Sequence, residues 1–476
     1  MSYIMGERNQ VEMFPASVED YVGADDPVRA YDAFIEALDF GELGVELEEE
    51  KVGSPAYHPK AMMKLLVYGY SYGWRSSRKL ERATHHNISF IWLLGGEKPD
   101  HKTIANFRKN NKQALCNVLK QCTRLCVELE LIEGNCLFLD GSKMRANASI
   151  NKTKSKQWFR EKSREIEERI EKILRECEQA DESETGTLVR MKEELKDERI
   201  LQEKIKRLVK KMEEEEKEKI NSTDHESITV KGRQGVHAGY NAQIVVDEKH
   251  GLIVTSDVIN KNNDLGEFTN QINQACEILG KKPNTVCADA GYSKASDLKK
   301  SVDEEIEVIV PSKKQVEHEP KEDDPFNKAK FKYDEEKNQY VCPEGKILRY
   351  FSYDSSDEQH KYRIARVEDC LSCKHYGVCT KGKQGRTLKR LKDEKIKEDL
   401  ERLYNTQVAQ EIYKKRKEKV ELPFGHIKRN LNGGAFLLRG INGAKAEMAI
   451  NSLCFNVARM ITILGGVRPL IEKLRI

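Results

Sequence analysis

Nowhere in the 476 residues does a run of about 18 apolar residues occur, so the sequence predicts no membrane-spanning helix. The first ten residues, MSYIMGERNQ, lack the apolar core of a signal peptide. A cytoplasmic, nucleoid-associated protein is therefore expected, and the twelve cysteines read as reduced thiols or metal ligands rather than as a disulfide framework. A strong excess of one charge is missing too. The formal balance of +3 does not mark a nucleic-acid binder, and such a role has to rest on local patches. Charge itself is plentiful at 34% of residues, which suits a soluble chain with long solvated helices. The length is enough for two or three domains.

The informative stretch is CLFLDGSKMRAN, residues 136–147. Leu137-Phe138-Leu139 reads as a strand buried on both faces, and it ends on Asp140. Strand ends are where α/β sheets commonly place their sites. Alone, this is equally an ordinary Asp-Gly turn. Two later stretches change the reading. NTVCADAGYSKASDL, residues 284–298, again delivers an acid, Asp289, at the end of a β-like run. YKKRKEKVELPFGHIKR, residues 413–429, sets Glu421 among bases on a helical pattern that Pro423 threatens to interrupt. Two strand-end aspartates and a helical glutamate suggest a carboxylate cage for Mg²⁺ or Mn²⁺, hard cations that take oxygen ligands. A pair of such ions can clamp the attacking and leaving oxygens of a phosphodiester displacement.

FLDGS, ADAGY and the spaced Tyr413, Arg416, Glu421 and Lys428 resemble the three catalytic blocks of DDE transposases from bacterial insertion sequences. The resemblance extends to HPKAMMKLLVYGY…PDHKTIANFR, to GYNAQIVVDEKHGLIV and to CPEGK…CLSCKHYGVC. It implies an α/β fold with an RNase H-like catalytic core, and Asp140, Asp289 and Glu421 as catalytic metal ligands. Tyr413, Arg416, Lys417 and Lys428 would then contact DNA. The family signature usually sets three residues between Arg and Glu. Arg416 has four and Lys417 has three, so both are candidates for the signature arginine. STDHES, residues 222–227, stands where the family carries an acidic motif. Asp224 is then either a helper for metal or DNA or a turn or helix cap, and His237 is equally ambiguous.

The expected organisation follows. Residues 1–133 form a helical N-terminal DNA-binding domain, with Arg75, Arg78 and Arg108 among the bases expected to touch phosphates. Residues 134–151 and 222–311 form the core, including a hairpin from Ala242–Val246 and Leu252–Thr255. Residues 152–221 contain no proline and carry Ile166, Ile170, Ile173, Cys177 and Leu201, Ile205, Leu208, Met212 at 4-3-4 spacing. That is a coiled-coil hairpin insertion with its break at Asp181–Thr187. Residues 312–390 are a cysteine-bearing insertion in which Cys342, Cys370, Cys373 and Cys379 suit one structural Zn²⁺, with His375 as a substitute ligand. Residues 391–476 return to the core with the Glu421 helix. Lys and Arg outnumber acids about two to one from Lys381 to Arg429, as a helix lying against DNA requires. The expected activity is metal-dependent cleavage at transposon ends and strand transfer into target DNA, with a homodimer on the DNA. The rivals are a metal-dependent nuclease on the same fold and a domesticated, non-catalytic DNA-binding protein.

Overall fold

The computed structural model describes residues 17–45, 56–179, 185–232, 235–316, 325–355 and 358–475. The chain forms two compact units. The first comprises Met1–Asp264, Asn270–Pro283 and Arg416–Ile476, and the second Leu265–Thr269 and Asn284–Lys415.

In the first unit, helices α1 (Pro59–Ser71), α2 (Ser77–His86), α3 (His101–Asn110) and α4 (Lys112–Glu128) precede strand β1 (Cys136–Arg145). Pro59 opens α1 at a position whose N–H has no intrahelical acceptor, and Asp100 caps α3 by accepting the Thr103 N–H. Strands β2 (Ile228–Gly232), β3 (Gly235–Asp247) and β4 (Ile253–Ile259) follow. The pairings made by β3 are antiparallel. β1 lies along β3 from Leu137↔Asp247 to Arg145↔Gly239. β2 pairs the start of β3, and β4 pairs its later part, from Asn241↔Ile259 to Val246↔Ile253. The hairpin lies where the sequence places it, but β1 does not end on Asp140; its ladder with β3 continues through Gly141 to Arg145, so the acid sits inside the strand.

Helix α5 (Gln407–Arg429) joins this unit from Arg416 onward, and α6 (Ile441–Ile463) packs on α4, α1 and β4. Leu137, Phe138 and Leu139 are fully buried, and each contributes about 1.5–3 kcal/mol of transfer free energy. Asn456 on α6 treats Ile253 as a neighbouring strand would. Its Oδ1 accepts the Ile253 N–H at 2.9 Å and its Nδ2 donates to the Ile253 carbonyl at 2.8 Å. Among the described residues no single helix is long and apolar enough to cross a membrane. Only α6 with Val467–Leu474 qualifies as a pair, and that pair bends by 107°.

The coiled-coil stretch is two helices, Lys156–Gln179 and Thr185–Glu214, around a core of Phe159, Ile166, Ile205, Leu208, Met212 and Ile220. Ion pairs such as Arg169 with Glu194 and Glu198 link them. Leu201, expected in the seam, is instead exposed. The side chain of Cys177 and part of the expected break, Asp181–Glu184, lie outside the described residues.

In the second unit, Thr285–Ala288 and Glu307–Ile309 pair in parallel and are joined through the helix Ala295–Asp303. A five-stranded antiparallel meander follows, with strands Lys332–Asp334, Gln339–Val341, Ile347–Asp354, Gln359–Ile364 and Thr387–Leu391. Its core consists of Phe331, Tyr340, Leu348, Tyr362, Ile364 and Leu388. Alternation, not a run of apolar residues, builds it.

Candidate active site

Asp140 lies within β1, opposite Ile244, and Ser142 follows two residues on. Side chains two apart on a strand share a face, so Asp140 and Ser142 point the same way. Helix α5 meets them there. The Arg416 guanidinium stands 3.4 Å from Asp140 Oδ1, with both side chains largely buried. Lys428 Nζ donates to Ser142 Oγ at 2.5 Å and to the Lys143 carbonyl at 3.2 Å. Lys417 is exposed, so it is Arg416 that meets the strand acid.

Glu421 precedes Lys428 by seven residues, two helical turns less about 20°. It therefore lies about 20° round the helix from Lys428 and about 140° from Arg416. Glu421 is exposed and forms no hydrogen bond or ion pair among the described residues. The helix runs straight through Pro423, although proline leaves the Lys419 carbonyl without its usual intrahelical donor. Beyond α5, Arg145 donates its N–H to the Gly434 carbonyl and accepts from Phe436 N–H at 2.8 Å. These bonds tie the segment after α5 to the end of β1 and fix the helix against the strand.

On the opposite face of β1, Gly141 occupies a crowded spot. A Cβ there would come within 2.5 Å of Gln243 Nε2 and 2.7 Å of Asp264 Oδ1. Asp264 in turn accepts from Asn241 Nδ2 at 2.6 Å and from Gln243 Nε2 at 2.7 Å. This buried polar cluster leaves room for hydrogen only. Gly141→Ala is expected to cost about 1–3 kcal/mol by overpacking and to displace Asp140 beside it. An unchanged urea midpoint would show that the cluster gives way freely.

Asp289 belongs to the second unit, at the C-terminal end of Thr285–Ala288. It caps a single 3₁₀ turn there, its Oδ1 accepting the Gly291 N–H at 2.8 Å. Tyr413 is in the same unit, edge-on to Tyr404 at 5.1 Å. Among the described residues no three His, Cys, Asp or Glu side chains are already arranged to hold a metal ion.

Several expected site residues serve other ends. Arg75 and Arg108 are 5% and 7% exposed. Arg75 Nη2 donates to Glu447 Oε2 at 2.9 Å, Tyr70 donates to Glu447 Oε1 at 3.0 Å, and Arg108 Nη1 stands 4.0 Å from that oxygen. Burying a guanidinium requires such a partner. The expected phosphate contacts at Arg75 and Arg108 are therefore corrected to structural ones, and only Arg78 of the three is exposed. Asp224 resolves as a cap: it accepts from Tyr240 Oη at 2.7 Å and from Gly440 N–H at 3.2 Å, while Glu226 accepts the Ile441 N–H at the start of α6. His237 lies 3.1 Å from an Arg145 nitrogen.

Cys342, Cys370, Cys373 and Cys379 do line one cavity, with His375 on its wall. Cys342 Sγ accepts the Lys346 N–H at 3.3 Å and Cys370 Sγ the Arg386 N–H at 3.5 Å. Burial, together with the neighbouring thiols, pushes the Cys379 thiol up. Among the described residues no three of these side chains are already arranged to hold a metal ion. Cys342, Cys370 and Cys379 instead pack against the aromatic core of the meander, and His375 Nε2 is 3.1 Å from Glu344.

The Glu447 cluster is the feature sequence reasoning missed. Its signal was present as Glu447, Asn451 and Asn456, polar breaks in an otherwise apolar helix.

With this geometry in place, two family models meet the chain. Residues 16–110 match the family described as Transposase domain (DUF772), and residues 341–461 match the one described as Transposase DDE domain. The first match contains α1 to α3 and the second contains Arg416, Glu421 and Lys428, while Asp140 and Asp289 lie outside both. Together the two matches support a DDE-type transposase, and the second implies an RNase H-like fold. Neither the curated proteins nor the solved structures give a match.

Proposed function

We propose that this chain is a transposase of the insertion-sequence type that cuts DNA at transposon ends and joins the freed 3′-OH to target DNA. The observation that carries the reading is the helix α5: it brings Arg416 and Lys428 onto Asp140 and Ser142 and carries Glu421 in the same stretch, which is similar to DDE domains. Asp140, Asp289 and Glu421 are the proposed ligands. Their hard carboxylate oxygens suit Mg²⁺ or Mn²⁺. A divalent ion bound there supplies Lewis acidity and a strong nucleophile at neutral pH.

The chain's own groups do the rest. Lys428, held at the end of β1, is a point charge for a scissile phosphate, and Arg416 offers a planar fork for phosphate oxygens once Asp140 turns to metal. Tyr413 and Lys417 extend the contact along the backbone. A 3′-OH generated at this site attacks the target phosphodiester at the same place, so no covalent protein intermediate is needed. Transposition of this kind joins two DNA segments at once, and a homodimer on the DNA suits it.

The test is a strand-transfer assay with duplex bearing the element's own terminal sequence, a supercoiled target plasmid and Mg²⁺. Joined products are expected. Cleaved ends that never join would identify a nuclease, and absence of both cleavage and joining would leave a DNA-binding protein.

A further inference from the structure

The five-stranded meander of the second unit has one buried face and one open face. Leu348, Tyr362 and Leu388, on its three longer strands, point into the core. Their neighbours along each strand point the other way, because side chains alternate. The ladder sets Arg349 directly opposite Arg363, and Lys361 directly opposite Lys389. Arg363 and Lys361 are two apart on Gln359–Ile364, so all four cations share the open face. Like charges directly opposite on a sheet are destabilising, and two such pairs stand here side by side. Asp354 offsets one of the four, accepting from Lys361 Nζ at 2.9 Å. Arg349 is exposed and forms no hydrogen bond or ion pair among the described residues.

An aromatic ring completes this face. The register of Ile347–Asp354 against Gln359–Ile364 shifts between Tyr350 and Ser352, which leaves Phe351 as the extra residue of a bulge. The Arg363 guanidinium lies 3.8 Å from the centroid of the Phe351 ring, so the ring belongs to the basic face. Phe351 is still 55% exposed. Arg363 Nε is buried and has no hydrogen-bond partner among the described residues.

We propose that this face binds an unpaired DNA strand, one nucleobase stacking on Phe351 and the phosphates lying along the four cations. Charge complementarity selects a polyanion. The exposed ring selects one with unpaired bases, whose π-faces are open to stack on an aromatic side chain. Shape argues against duplex. Five strands about 4.8 Å apart make a face about 19 Å wide, whereas the major groove is about 12 Å wide. This rests on the proposed function only in taking DNA as the polymer, and it adds a platform for single strands.

Binding is read by fluorescence anisotropy with labelled oligo(dT) of about 12 nucleotides, within the range of known single-strand sites. A blunt duplex of similar length serves as comparison, and both are titrated in EDTA across a salt series. Phe351→Ala is expected to weaken oligo(dT) binding at least about fivefold, the lower end for one lost stacking contact, and Phe351→Trp to preserve it. For Arg349→Ala/Lys389→Ala, log affinity against log salt should be shallower by about 1.4, two phosphates at about 0.7 each. Duplex binding should be unchanged in all of these variants. All should melt close to the wild type, because the replaced side chains are exposed. Wild-type oligo(dT) affinity and slope in both Phe351→Ala and the double variant overturn this surface alone. Equal losses on oligo(dT) and duplex overturn the assignment to unpaired strands. A wild type that binds duplex but not oligo(dT) overturns the proposal and leaves the transposase reading standing. One that binds neither overturns both.

Discussion

Asp140→Asn is expected to lower DNA cleavage and strand transfer by at least about 10³-fold while duplex binding in EDTA stays within about twofold. A metal-stabilised transition state is worth several kcal/mol, and each 1.36 kcal/mol is a factor of ten in rate. Asparagine keeps the shape of the side chain but removes the charge that a divalent ion requires. The Asp140–Arg416 pair is largely buried, so some loss of stability is expected too, and the urea midpoint is measured beside activity to show that the variant is folded under assay conditions. Substantial Mg²⁺-dependent joining by this variant would remove Asp140 from the proposed ligands. Loss of binding together with activity would assign it to DNA contact instead.

The second large effect concerns stability. Glu447 is fully buried and accepts hydrogen bonds from Arg75, Tyr70 and the Leu437 N–H, the last at 2.6 Å. Glu447→Gln retains most of the shape but leaves two buried guanidiniums facing no anion. Removing one partner of a buried ionic group typically costs about 3–5 kcal/mol. The variant should unfold at a markedly lower urea concentration with an unchanged m-value. Replacing Arg75, Arg108 and Glu447 together by methionine should cost much less, since no charge is then stranded. A Glu447→Gln protein within about 1 kcal/mol of the wild type would mean that water reaches the cluster.

The contrast between Asp140 and Arg75 shows what the sequence made legible. β1 could be read because three fully buried apolar residues end abruptly on an acid, and both the run and its break are local. The β3–β4 hairpin was legible for the same reason. Arg75 and Arg108 were not, because a basic residue looks the same whether it faces solvent or a carboxylate more than 330 positions away. The cysteine-bearing stretch was legible only in part. Its lack of long apolar runs hid the core that Tyr340, Leu348, Tyr362, Ile364 and Leu388 build by alternating with polar residues along their strands. Pro423 predicted a helix boundary by its local chemistry, and the tertiary packing of α5 overrode it. Asp140, Asp289 and Glu421 were singled out by their local surroundings. The spacing left Arg416 and Lys417 as rivals, and the structure sets Arg416 beside Asp140 and leaves Lys417 exposed.

The guanidinium beside Asp140 has a consequence for the life of the polypeptide before it meets DNA. Domains whose ligands repel one another until an ion arrives are unfolded without it, and their biogenesis waits on metal supply. Here Arg416 balances the strand acid with no ion present, so under the proposed function the chain can fold in a chelating environment and take its metal afterwards. On that proposal, removing the ion should silence the protein without denaturing it, and restoring the ion should need no refolding.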